Sequence, residues 1–148
     1  MEFVGVSNAV FRHFLVMSNE LSTPKVLFCP QETNPSRIMA TGFYPNPSYG
    51  AVVPLKGDFN LSYFIGVDAA DTNVTMFLLG DRNITNRSGV VGGLLTLAPG
   101  QAAGWSQEMH QGQGYIGFPD GSVRLVSNAG LTEAIAAAGD MTNRLAIP

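Results

Sequence analysis

The stretch Gly114-Tyr-Ile-Gly-Phe-Pro-Asp-Gly-Ser-Val-Arg-Leu-Val126 decides how the chain is read. Two β-prone runs, Gly114 to Phe118 and Ser122 to Val126, flank Pro119-Asp120-Gly121. Proline fixes φ, the aspartate bonds the backbone locally, and glycine accepts a positive φ, so this is a β-hairpin with a chemical reason for each turn residue. Upstream, three further runs read as strands: Leu61–Val67 (LSYFIGV), Thr75–Leu79 (TMFLL) and Leu94–Leu97 (LLTL). Asp68 to Asn73 separates the first two as a turn. The connections leave no room for crossover helices, which favours antiparallel pairing over a parallel α/β sheet. Downstream, Leu131–Ala138 reads as a short helix ended by Gly139, with Asn128 or Thr132 as its cap.

Toward the N-terminus, Val10, Phe14, Met17 and Leu21 fall at spacings that make one apolar helix face, with Ser7 or Asn8 as cap and Pro24 as terminator. Val26 to Cys29 is a short apolar run suited to a buried strand. From Pro30 to Gly57 five prolines (Pro30, Pro35, Pro45, Pro47 and Pro54) leave little room for regular structure, and a long surface loop carrying Tyr44 and Tyr49 is expected.

Composition narrows the function classes. Only 13% of the 148 residues are charged, against about 25% in ordinary domains, and 17 Gly and 9 Pro help fill the difference. The hydrophobic fraction, 45%, is enough for one core, so residues 1–148 are read as one domain. Lys25 and Lys56 are the only lysines and the arginines are scattered, so no basic stripe exists to neutralise phosphates and nucleic-acid binding is disfavoured. No run of about 20 apolar residues is present to make a membrane span, and no signal-peptide pattern is visible. Cys29 is the sole cysteine, which excludes an internal disulfide and a cysteine-based zinc cage, and it reads as a buried thiol. Low charge with much Asn, Ser, Thr and Gly fits an exported protein.

Chemistry-bearing motifs are few. His13 and His110 are the only histidines and lie in no metal-ligand spacing. Gly112, Gly114 and Gly117 match a dinucleotide fingerprint by letter, but in a strand entering a hairpin. Asp58, Asp68, Asp71, Asp81 and Asp120 sit near strand ends or turns, where calcium could collect oxygens, although no EF-hand spacing supports it. Asp81 followed by Arg82 can pair with other groups on the sheet edge, as ordinary surface or structural ion pairs. Four N-x-S/T tripeptides begin at Asn60, Asn73, Asn83 and Asn86 and matter only in a eukaryotic secretory route. A catalytic set could combine His110 with Asp81 or Asp120, yet nothing singles out a serine to join them.

His110, nine intervening residues and Asp120-Gly121 form a pattern that resembles the C-terminal signature of the prepilin-type "His, nine residues, Asp-Gly" family, bacterial pseudopilin-like proteins abundant in planctomycete and verrucomicrobial genomes. Further blocks are similar to the verrucomicrobial branch: Phe11–Leu21, Thr23–Pro30, Ser62–Ala69, Leu79–Asn83 and Asn143–Pro148. The resemblance spans residues 11 to 148. It implies an α+β, pilin-like fold, with an N-terminal helix packed on an antiparallel β-sheet, a long Pro/Gly-rich loop and the late hairpin. It also implies a non-enzymatic structural subunit of a type II secretion or type IV pilus-like system, with pilin-like subunits and secretion components as partners. Such a protein works in the cell envelope, outside the cytoplasm.

The family's basic leader and long apolar helix do not match Met1-Glu2-Phe3-Val4, so the chain is expected to be a soluble head cut after its inner-membrane anchor. No catalytic residue or cofactor is implied. Asp120 and Gly121 are expected to build the turn and His110 to anchor the preceding loop. The rival reading is an extracytoplasmic ligand-binding module that uses Tyr44, Tyr49 and Trp105 to hold a glycan, a peptide or calcium.

Overall fold

The computed structural model describes residues 9–46, 50–139 and 141–148. Two short helices, α1 (Phe11–Val16) and α2 (Ser18–Leu21), come first, and 3₁₀ turns follow at Pro24–Leu27 and Asp58–Asn60. The remaining elements are β1 (Tyr63–Gly66), β2 (Leu79–Asp81), β3 (Ile84–Asn86), β4 (Leu94–Leu97), β5 (Ala103–Trp105), β6 (Gln113–Gly117), β7 (Val123–Ser127), α3 (Asn128–Ala137) and β8 (Asn143–Ala146). Six strands form one antiparallel sheet in the order β4-β8-β1-β2-β6-β7, and β3 pairs with β5 in a separate antiparallel ribbon.

This corrects the expected α+β, pilin-like arrangement of an N-terminal helix packed on an antiparallel sheet. The described chain is mostly antiparallel sheet, and its longest helix is α3, with 10 residues against 6 and 4 for α1 and α2. The N-terminal apolar stripe is too short to hold a continuous helix. Isolated helices below about 12–15 residues are marginal, and Ser18 and Asn19 are weak helix formers. Met17, at φ −95° and ψ 13°, breaks the element in two, and neither half has a side-chain N-cap. Val10 and Phe14 are buried while Met17 is exposed. The caps expected at Ser7 or Asn8 lie outside the described residues.

Three other expectations shift. The run Val26–Cys29 is not a strand, because Pro24 presets a helical φ and the Thr23 hydroxyl accepts from the Lys25 N–H, which winds Pro24–Leu27 into a 3₁₀ turn. The strand expected at Thr75–Leu79 starts only at Leu79. Asn73 Oδ1 accepts from both the N–H and the hydroxyl of Thr75, and this local bonding holds the segment as a turn. The cap of α3 is Ser127, whose hydroxyl accepts from Gly130 N–H, not Asn128 or Thr132.

The hairpin of β6 and β7 runs in register from Gln113 opposite Ser127 to Gly117 opposite Val123. At its turn Phe118 N–H bonds Ser122 O at 2.9 Å, Asp120 Oδ1 accepts from Ser122 N–H at 2.9 Å, and Gly121 takes φ 82°. Between residues 28 and 57 the described chain holds one isolated parallel bridge, Gly42 with Pro54.

Each face of the sheet covers a cluster, as strand alternation requires. On one face Phe64, Leu95, Leu97, Ile116, Val126 and Leu145 meet Leu131 and Ile135 of α3 and Ile84 and Trp105 of the ribbon. On the other, Ala146 and the partly buried Ile65 and Leu94 meet Val10, Phe14, Leu27, Ala40 and Leu55. Gly66 is forced by close approach: a Cβ there would stand 1.7 Å from Phe77 O. Among the described residues, no helix is long and apolar enough to cross a membrane.

Candidate functional site

Strand alternation puts Tyr63, Ile65, Leu79 and Asp81 on one face, since Tyr63 stands opposite Asp81 and Ile65 opposite Leu79. Asp81, at the end of β2, is buried beneath two loops. The first leaves the 3₁₀ turn at Pro24–Leu27 and brings in Cys29; the second joins β5 to β6 and brings in His110. Cys29 Sγ lies 3.3 Å from His110 Nε2, and the same nitrogen lies 3.4 Å from Asp81 Oδ2. Tyr115 N–H donates to Asp81 Oδ2 at 2.6 Å, Gln31 N–H donates to Cys29 Sγ at 3.4 Å, and the Tyr115 ring meets the imidazole edge-on.

The local backbone explains how His110 arrives there. His110 (φ 44°), Gln111 (φ 51°) and Gly112 (φ 80°) are three consecutive left-handed residues. That conformation costs about 1–2 kcal/mol for each non-glycine residue, so the loop must be held from outside. Asn83 holds it: its buried side-chain amide donates toward Ser106 O, Met109 O and Gln113 O at 3.1–3.2 Å. Arg82, next in the chain to both Asp81 and Asn83, grips Glu32 with two bonds of 2.9 and 2.5 Å and Glu108 with one of 2.6 Å. The Ser62 hydroxyl donates to Glu32 as well, and the Thr33 hydroxyl donates to Glu108 O. Asp81 and Arg82 thus each pair with other groups, Asp81 with His110 and Arg82 with Glu32 and Glu108.

Burial sets the electrostatics. Asp81 is pushed above the usual carboxylate range chiefly by burial, which the Tyr115 amide and His110 oppose and Glu32 reinforces. Burial also raises the Cys29 thiol, and it pushes Tyr63 up to about 12 with help from the neighbouring Cys29 and Asp81. At Glu32 burial acts in the same direction, but Arg82, the Asn34 amide and the Ser62 hydroxyl outweigh it and hold the carboxyl below its ordinary value.

One imidazole nitrogen faces both the thiol and the carboxylate. A proton relay needs the base to meet its nucleophile and its orienting acid through different nitrogens, so this geometry does not align a catalytic triad. It suits a hydrogen-bonded clasp or a set of converging ligand atoms. Sγ, Nε2 and Oδ2 all lie within 4.8 Å of one another, the one such group of three among the described residues.

The other anticipated residues fall elsewhere. Asp120 and Gly121 form the hairpin turn, at the far end of β6 from His110. Trp105 is buried in the larger core cluster, Tyr44 is exposed on the long loop, and Tyr49 lies outside the described residues. The aspartates weighed for calcium disperse: Asp58 accepts from Phe11 N–H, Asp68 pairs with Arg144, and Asp120 closes its own turn. Asn60 and Asn83 are buried, so two of the four N-x-S/T tripeptides cannot accept a glycan in the folded chain. The grouping of Cys29, Asp81 and His110 has no signal in sequence spacing.

Beside the cluster, and sharing Tyr63 and Tyr115 with it, lies an apolar groove of about 430 Å³ lined by Phe14, Met17, Val26, Leu79 and Val123 among others. No family model, no curated protein and no solved structure matches this chain.

Proposed function

We propose that the chain is a non-enzymatic structural subunit: the head of a pseudopilin-like protein in a type II secretion or type IV pilus-like system, working in the cell envelope. What carries the reading is that the sequence blocks resembling that family meet in space. Cys29 comes from the block Thr23–Pro30, Asp81 to Asn83 from Leu79–Asn83, Ser62 from Ser62–Ala69 and His110 from the signature itself, while Asn143–Pro148 contains the inner strand β8. Each signature residue has a scaffold task, His110 as a clasp between two loops and β2, Asp120 and Gly121 as a turn.

The proposal rests on these blocks and not on the expected N-terminal helix, which among the described residues is broken into the short helices α1 and α2. The apolar groove, with exposed Leu79, Tyr115 and Val123, offers a face against which a neighbouring subunit can pack. Partners in this reading are other pilin-like subunits and secretion components, and the full-length form is anchored in the inner membrane.

Fractionation of the cells that make the protein tests this. An antibody to the head should detect a membrane-bound species larger than 15.7 kDa, lengthened further when prepilin peptidase is inactivated. A 15.7 kDa species confined to the cytosol and indifferent to the peptidase would overturn it.

A further inference from the structure

We propose that Cys29, Asp81 and His110 form a zinc-class metal site that ties the two loops to strand β2, with water as the fourth ligand. Tetrahedral zinc, with bonds of about 2.0–2.3 Å, sets its ligand atoms about 3.3–3.6 Å apart. Sγ to Nε2 is 3.3 Å and Nε2 to Oδ2 is 3.4 Å, so two of the three pairs already stand at coordination spacing, and the third, sulfur to carboxylate, lies within 4.8 Å. Asp81 gives the independent indication. Its side chain is only 1% exposed, its sole ion-pair partner among the described residues is His110, and Oδ1 is buried with no hydrogen-bond partner. A buried carboxylate so poorly compensated is costly, and a divalent cation removes that cost.

Supporting contacts are of the kind that orient metal ligands: Tyr115 N–H on the Asp81 carboxylate and Gln31 N–H on the Cys29 sulfur. The donor set selects the metal class. A thiolate and an imidazole suit zinc or cobalt and are poor ligands for calcium and magnesium, which take oxygen. Binding forms an Sγ–Zn bond in place of the S–H bond, and the thiol proton passes to solvent. His110, partly exposed at the rim, leaves the side where water completes the tetrahedron.

The test uses the full 148-residue chain after chelator treatment. Titration with Co²⁺ should produce a thiolate-to-cobalt charge-transfer band and the visible bands of a tetrahedral centre, saturating at one equivalent and displaced by Zn²⁺. His110→Ala should weaken binding at least about 100-fold, since loss of even an outer-shell partner costs about 10–100-fold. Zn²⁺ should raise Tm while Ca²⁺ leaves it unchanged. Because Cys29 is buried and its replacement could unfold the chain, the thiolate band of the unmutated protein is the readout for that ligand. Absence of the band in excess cobalt, unaltered affinity in a folded His110→Ala protein, or stabilisation by calcium in place of zinc would each overturn the proposal.

Discussion

Glu32 shows how one side chain decides whether two distant loops stay in place. It is 1% exposed at its side chain and bonds Arg82 through both oxygens, while Arg82 carries Glu108 on its other side. Breaking a buried pair leaves an uncompensated charge and costs about 3–5 kcal/mol; with Glu108 still present, Glu32→Gln should cost about 3 kcal/mol near neutral pH. The folded-state pKa of Glu32 is lowered, so its contribution is complete above the unfolded value and is lost as pH falls through the folded one. The gap in stability between the two proteins should therefore shrink on acidification below the ordinary glutamate range. Denaturant unfolding across that range checks it, and a gap that stays constant with pH would show that Arg82 does not act on this carboxylate.

Among the elements, the hairpin is one whose turn residues specify its conformation. Gly121 has φ 82° with open space where a Cβ would stand, so Gly121→Ala should lose about 1–2 kcal/mol from backbone strain alone, without a clash. Asp120→Ala should lower Tm by removing the acceptor for Ser122 N–H. Unchanged thermal unfolding in both variants would mean that strand pairing, not turn chemistry, sets the register. Strand β4 was equally legible at Leu94–Leu97, because glycine and proline bound a continuous apolar run. Strand β8 was not. Asn143-Arg-Leu-Ala lacks β-branched and aromatic residues, yet it pairs with both β1 and β4 and buries Leu145, so long-range packing overrides weak local propensity. The N-terminal stripe is helical as its spacing predicts, but Met17 splits it into two short pieces, neither with a side-chain cap.

Across the whole molecule, the antiparallel pairing could be read from short connections and turn residues, whereas the meeting of residues 29, 81 and 110 could not. It depends on two loops over strand β2, their paths fixed by Arg82, by Asn83 and by the left-handed run at His110 to Gly112, none of which leaves a periodic trace in the sequence. Arg37 extends this long-range tying by donating to Asp58 O, Leu61 O and Pro148 O, joining the proline-rich loop to the start of β1 and to residue 148. The family-like blocks thus derive their physical meaning from where they converge. NMR of the folded protein measures that convergence most directly. Cross-relaxation between the His110 ring protons and both the Cys29 β-protons and the Tyr115 ring is expected, because Cys29 Sγ lies 3.3 Å from His110 Nε2 and the two ring centroids are 5.2 Å apart. A His110 ring with only sequential contacts, and none to Cys29 or Tyr115, would contradict the site and the function built on it.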